Sequence, residues 1–217
     1  MDPKAAYESS FERIRSLVGD QSADVEVPTC PGWTVKDVVA HLADFFAVFK
    51  ADPEKGFSRG WGDEGVERRR SRSLQECLQE VSEHLQDPGG FFESQFAAVA
   101  VSDVLAHEQD IRTALDRPGA RDDANIVPAI EMGLSFIEKK TAGQDLPALR
   151  VVTDEVDRTL GEGDASVTLR SSTYELFRTI HGRRTVDQLQ AMDWDGDPGP
   201  WVSALFLFGP TEDIVEK

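Results

Sequence analysis

Apolar residues recur at three- and four-residue intervals through most of the first 140 positions and switch to two-residue alternation only around 150–170. From Pro3 to Val18, the positions Ala6, Phe11, Ile14 and Leu17 mark one helix face among charged neighbours. The polar GDQSAD stretch follows, and in VPTCPGWT the residues Pro28, Pro31 and Gly32 break the period. Thr34 stands where a helix beginning at Val35 needs its N-cap, with Asp37 in the first turn, and Val38, Leu42, Phe45 and Phe49 carry the apolar stripe onward. The Gly-rich segment from Asp52 to Gly65 predicts a loop, and Val66 to Gln86 a third helix with a basic opening, ERRRSR, closed by the turn DPGG. Phe91 to Leu115 predicts a fourth helix ended by RPGARDD, and Val127 to Lys140 a further one.

After a linker at AGQDLP, near residues 142–147, the pattern changes. LRVVTDEVDRTL and GEGDASVTLRSS alternate in the β manner with a Gly-containing turn between the halves, which predicts a hairpin. TYELFRTIHGRR returns to helix, Thr185 to Leu189 fits a short helix, and WVSALFLFG suits either a strand or a final helix. The expected fold is an all-α four-helix bundle over residues 1–143 followed by a small α+β domain over 144–217.

At 217 residues either part is long enough to bury a core. The net charge of -17 opposes binding of nucleic acid or an anionic membrane through the general surface. No window has the apolar length of a membrane span, and the N-terminal MDPKAAYESSFERIRSL lacks the basic and apolar pattern of a leader, so a soluble cytoplasmic protein is expected. Two cysteines, Cys30 and Cys77, are too few for a disulfide framework and read as free thiols.

The candidate chemistry lies on the second and fourth helices. Asp103 and His107 stand four apart, about one turn, so both side chains can reach one point. His41 sits on or beside the buried stripe between Val38 and Phe45. Two histidines and a carboxylate facing the inside of a bundle match a catalytic zinc site with a fourth position left for water or substrate. From spacing alone the commoner arrangement is hydrogen-bonded core histidines with Asp103 paired to a nearby arginine, since isolated D-x-x-x-H matches arise often by chance.

The segments that narrow this choice are VPTCPGWTVKDVVAHLA, DVLAHEQDIRTAL and SSTYELFRTIHGRRT. They resemble, in order, the motifs of the mycothiol-dependent maleylpyruvate isomerase family, a branch of the DinB-like metal-binding four-helix bundles. The resemblance implies that His41, Asp103 and His107 hold a divalent metal, usually zinc, in a cleft open to a low-molecular-weight thiol such as mycothiol. It also implies a sterol-carrier-like C-terminal α+β domain over that cleft. The family usually places Glu where this chain has Asp103, and the missing methylene retracts the carboxylate by about a C–C bond length, against a metal-distance tolerance of about 0.2 Å.

A metal held by two neutral imidazoles and one carboxylate keeps positive charge and lowers the pKa of a coordinated thiol. The implied reaction is thiol-dependent isomerisation of, or S-transfer to, a small electrophile. Guanidinium groups suit the electrophile's carboxylates: Arg183 and Arg184 are the catalytic candidates, and the Arg68–Arg72 run, Arg70 within it, the substrate-binding one. The alternatives are a favourable helix C-terminal charge for the first pair and a solvated charged face for the second. Asp110, three after His107, either orients that imidazole from behind or pairs with Arg112 or another arginine. His84 and His181 read as exposed or capping, Cys30 as packed though able to reach the metal in another conformation, and Trp33, Trp61 and Trp194 as core or, alternatively, as lining the cleft. DWDGDPG resembles a calcium loop only superficially. The reading from a different class is a non-catalytic module that binds an apolar ligand or regulates a partner protein; a metal-dependent hydrolase would share the ligands without needing a thiol. Oligomeric state is left open.

Overall fold

The computed structural model describes residues 2–52, 60–213 and 216, and its chain divides into two compact units, Met1–Gly119 and Ala120–Lys217. The boundary expected at 143/144 differs from this division in the side to which one helix, Ile126–Thr141, is assigned.

In the first unit, helices α1 (Pro3–Leu17), α2 (Val35–Ala51), α4 (Leu74–Gln86) and α5 (Ala97–Ala114) make a four-helix bundle, with the short α3 (Trp61–Arg68) laid against α2. Tyr7, Phe11 and Ile14 of α1, Leu42, Phe45 and Phe46 of α2, Leu74 and Val81 of α4 and Val101 and Val104 of α5 are all within 2 % of full burial and form its apolar centre. Such burial contributes about 1.5–3 kcal/mol per large side chain. Tyr7 meets Phe46 edge-on at 5.3 Å, and Phe46 meets Phe91 at 4.8 Å. One buried acid ties α1 to α5: Glu108 accepts from Ser10 Oγ at 2.7 Å, Arg13 Nε at 2.8 Å and Arg112 Nε at 2.9 Å.

Two helix boundaries differ from those the sequence predicts. Residues 53–59 of the expected loop lie outside the described residues, but from Trp61 the Gly-rich stretch is helical. Glycine is tolerated there because the backbone approaches α2 closely: a Cβ on Gly65 would fall 2.6 Å from Asp44 Cγ. The expected third helix is therefore two helices, α3 and α4. The chain leaves helical geometry at Arg69, whose guanidinium turns inward to Asp44 Oδ1 at 2.6 Å and Glu80 Oε1 at 2.7 Å, and restarts at Ser73 with a capping box to Glu76. Likewise Gly89 and Gly90, with φ of 61° and 83°, precede a single 3-10 turn, Phe91–Glu93, and α5 begins only at Ala97.

The second unit contains α6 (Ile126–Thr141), strands β1 (Leu149–Val152), β2 (Asp157–Leu160) and β3 (Val167–Arg170), helices α7 (Thr173–Ile180) and α8 (Val186–Gln190), strand β4 (Asp193–Asp195) and the one-turn α9 (Gly199–Val202). The sheet order is β2-β1-β3-β4. The expected hairpin is replaced by a different pairing. LRVV and DRTL fold on each other, Leu149 opposite Leu160, through a turn in which Thr153 Oγ1 accepts from Glu155 N and Val156 N. The Gly-containing segment then carries the chain to β3, which runs parallel to β1 with Leu149 beside Val167. DWD forms the edge strand β4, and WVSALFLFG gives one helical turn, with Trp201, Leu205 and Phe206 buried. No helix among the described residues is long and apolar enough to cross a membrane.

Candidate metal centre

The segment before α2 places two side chains on the bundle. Trp33 N donates to Cys30 O at 3.0 Å across a turn whose third residue, Gly32, has φ of 83°; Pro31 before it supplies the restricted φ that such a turn favours. Val27 N donates to Trp33 O and Val35 N to Val25 O, both at 2.9 Å, which fastens the segment to itself. Thr34 then caps α2: its Oγ1 accepts from Asp37 N, while Asp37 Oδ2 accepts from Thr34 N at 2.9 Å.

His41 lies two turns into α2, and Asp103 and His107 lie on α5. His41 Nε2 is 3.2 Å from Asp103 Oδ2, and His107 Nε2 is 3.5 Å from Asp103 Oδ1. Both imidazoles thus direct the same nitrogen at one carboxylate, and the three donor atoms lie within 4.8 Å of one another. Metal–ligand bonds of about 2.0–2.1 Å in a tetrahedron place neighbouring donors roughly 3.3 Å apart, close to the distance from each imidazole to its nearer Asp103 oxygen, although the two histidines approach different oxygens of that carboxylate. The side chains of His41 and His107 are 7 % and 6 % exposed, and that of Asp103 is 21 % exposed, so the open side of the cluster is at the carboxylate.

The two imidazoles differ electrostatically. Burial pushes the His41 pKa down, against the charge and hydrogen bond of Asp103, and the net direction is downward. Burial acts the same way on His107, but Asp103 and the bond to Asp110 outweigh it and hold the pKa at about 10. The difference arises behind the rings. His107 Nδ1 lies 2.9 Å from Oδ2 of the fully buried Asp110, whereas His41 Nδ1 is buried with no hydrogen-bond partner among the described residues. Gly62 of α3 backs that nitrogen; a Cβ there would sit 3.1 Å from it.

Aromatic rings surround the cluster. Trp61 lies 4.5 Å from the His41 ring, and Trp33 lies 5.0 Å from it and 6.2 Å from His107. Trp33 Nε1 donates to Asp63 Oδ1 at 3.0 Å, linking the loop before α2 to α3. These rings were expected either to line the cleft or to fill the core. Trp33 and Trp61 are half-buried beside the histidines, while Trp194 sits on β4 and donates to Leu189 O at 2.8 Å. Cys30, expected to be packed though able to reach the metal in another conformation, has its Sγ 3.3 Å from Asp110 Oδ2 and 3.8 Å from His107 Nδ1. Nothing in local spacing marks Cys30 or Trp61 as neighbours of the histidines, because each arrives from a separate segment.

The arginines have other surroundings. Arg70 is 77 % exposed at its side chain and pairs with Glu67 at 2.6 Å. Arg68 and Arg69 of the same run bind the buried Asp44. In the second unit Arg184 is buried between Glu175 at 2.7 Å and Glu216 at 3.0 Å, and Arg183 Nη1 donates to His181 O. His181 is not exposed: it is buried at the C-cap of α7, with Nδ1 2.8 Å from Phe177 O. His84 stacks on Phe46 with ring centres 5.5 Å apart.

Residues 5–88 match the family model described as the mycothiol maleylpyruvate isomerase N-terminal domain. Among solved structures, a crystal structure of the mycothiol-dependent maleylpyruvate isomerase is 15 % identical, with 83 % of this chain and 88 % of that chain covered and a TM-score of 0.53. A crystal structure of a histidine-to-alanine mutant of such an isomerase is 14 % identical, with 91 % and 93 % covered and a TM-score of 0.55. No curated protein matches. At these identities the structural likeness establishes the fold, a DinB-like helical bundle with a small α+β unit after it.

Proposed function

For a chain whose residues 5–88 match the mycothiol maleylpyruvate isomerase N-terminal domain model, we propose a metal-dependent enzyme that uses a low-molecular-weight thiol to isomerise, or to accept onto sulfur, a small electrophile. The observation that carries this reading is the convergence of His41 Nε2 and His107 Nε2 on the Asp103 carboxylate, at 3.2 and 3.5 Å. The donor set fits a divalent metal of the zinc class, being two imidazoles and one carboxylate with one position left over. When bound, such an ion supplies Lewis acidity that favours the thiolate form of a coordinated thiol.

The remaining work falls to the chain's own residues. Asp110 holds His107 through Nδ1, so that Nε2 faces the site and would offer its lone pair once a metal displaced its proton. Trp33 and Trp61 exclude water from the imidazoles and leave an approach on the Asp103 side. In the isomerisation, the thiolate adds to an activated cis double bond, forming a C–S bond while the displaced electron pair moves onto the conjugated acid group. Rotation about the resulting single bond and elimination of the same thiolate give the trans isomer, so the thiol is regenerated. Arg183, Arg184 and Arg70 are proposed to balance the acceptor's negative charge; the burial of Arg184 between two carboxylates makes it the least available of the three.

Metal analysis and X-ray absorption on the purified protein test this reading. The expected result is about one zinc per chain, lost in Asp103→Ala, with a sulfur neighbour appearing when mycothiol is added. A folded protein that takes up no metal from excess zinc would refute the reading and turn the search to the non-catalytic module.

A further inference from the structure

The back of His107 carries a second set of donors. Cys30 Sγ, His107 Nδ1 and Asp110 Oδ2 form a triangle with sides of 3.8 Å (S to N), 3.3 Å (S to O) and 2.9 Å (N to O). A tetrahedral ion with bonds of about 2.3 Å to sulfur and about 2.0–2.1 Å to nitrogen and oxygen would set these pairs roughly 3.6, 3.5 and 3.3 Å apart. The three atoms therefore need move by only a few tenths of an ångström to enclose one. Asp110 is fully buried, His107 is nearly so, and Cys30 is half-buried. The place of Cys30 is set by the fastened turn before α2 rather than by a free loop.

We propose that Cys30, His107 Nδ1 and Asp110 form a second metal site, selective for thiophilic divalent ions such as cadmium or excess zinc, and that it competes with the Asp103 site for one imidazole. The selectivity follows from the sulfur donor, since the Asp103 site offers only nitrogen and oxygen. The competition follows from the electron count of the ring. A neutral imidazole has one lone pair, so an ion on Nδ1 leaves Nε2 protonated and unable to serve His41 and Asp103, and the converse holds. Occupation of the second site releases the Sγ proton to solvent; the proton leaving Nδ1 is balanced by one that Nε2 takes up as the first ion departs, and His107 loses the hydrogen bond that Asp110 accepts. A thiophilic ion would thus empty the first site by taking its ligand from behind. The competition rests on the proposed metal site at His41, Asp103 and His107, whereas the Cys30 site stands or falls on the thiolate band alone.

The test uses zinc-loaded protein titrated with cadmium and followed by thiolate-to-cadmium charge-transfer absorption together with zinc release. The expected result is a charge-transfer band that grows as zinc is released one for one, and that is lost in Cys30→Ser even though Cys77 is still present. Absence of the band in the wild-type protein overturns the site. Growth of the band with zinc fully retained overturns the competition. A second arm uses cobalt with His41→Ala/Asp103→Ala, which removes two donors of the first site and none of the second. A thiolate-to-cobalt band is expected in that variant, and its absence in a protein whose circular dichroism is native overturns the proposal. Should the double variant not fold, the cadmium arm decides alone.

Discussion

His107 turns Nδ1 to Asp110 Oδ2 at 2.9 Å while its Nε2 stands 3.5 Å from Asp103 Oδ1, so one imidazole is gripped by carboxylates on both sides. Removing the rear grip isolates its contribution. Asp110→Asn keeps the shape of the side chain but replaces the charge that fixes the tautomer. Zinc affinity is expected to fall roughly 10–100-fold, the usual effect of losing such a partner, while His41 and Asp103 stay in place. Competition against a chromophoric chelator measures it, and an unchanged affinity would show that Asp110 is only a packing group.

Gly62 leaves room for His41. A Cβ at that position would lie 3.1 Å from His41 Nδ1 and 3.2 Å from the Trp33 ring, so in Gly62→Ala the imidazole or the indole must retreat by a few tenths of an ångström. That exceeds the roughly 0.2 Å tolerance of a metal bond. The expected outcome is weaker zinc binding at close to wild-type thermal stability, since alanine also favours the helix by roughly 1 kcal/mol. Binding as tight as wild type would mean that α3 yields in place of His41.

Gly65 gives the opposite balance. There a Cβ would sit 2.6 Å from Asp44 Cγ, a carboxylate that is fully buried and held by Arg68 and Arg69, each at 2.6 Å, and that has no room to withdraw. Gly65→Ala is expected to cost about 1–3 kcal/mol in spite of the helix propensity gained. Urea unfolding gives the number, and a stabilised variant would contradict the packing described.

In the second unit, Glu216 accepts from Tyr174 Oη at 2.8 Å, Arg178 Nε at 2.7 Å and Arg184 Nη1 at 3.0 Å. Burial alone would raise its carboxyl pKa, but the charge of Arg178, the Tyr174 hydroxyl and Arg184 bring it below the ordinary value. A pKa depressed by folding contributes stability that is complete above the unfolded carboxyl pKa of roughly 4–5 and is lost as pH falls through the folded value. Glu216→Gln is therefore expected to destabilise by about 3–5 kcal/mol at neutral pH, as for a broken buried pair, and the gap should close as the medium is made acidic. Thermal unfolding of both proteins across that range checks it; a gap independent of pH would rule out the charge as its origin.

Local periodicity and end signals were enough for the sequence to predict the helices beneath the site. The i, i+4 relation of Asp103 and His107, the stripe around His41 and the Thr34–Asp37 capping box are each contained within one or two turns, where spacing along the chain is spacing in space. Three motifs in order were enough to raise the family resemblance. The tertiary structure decided what comes from separate segments. It carried Cys30 to the back of His107 and Trp33 and Trp61 onto the rings. It made a helix of a Gly-rich stretch by pressing Gly62 and Gly65 against α2, and it turned Arg69 inward to Asp44 and Glu80. It also paired β3 with β1 in parallel where alternation suggested a simple hairpin. Periodicity reports which face of an element is buried, not what it is buried against; partners 24 to 80 residues apart, as Asp44 and Arg68 or Cys30 and Asp110 are, are chosen by packing and charge compensation in the folded chain.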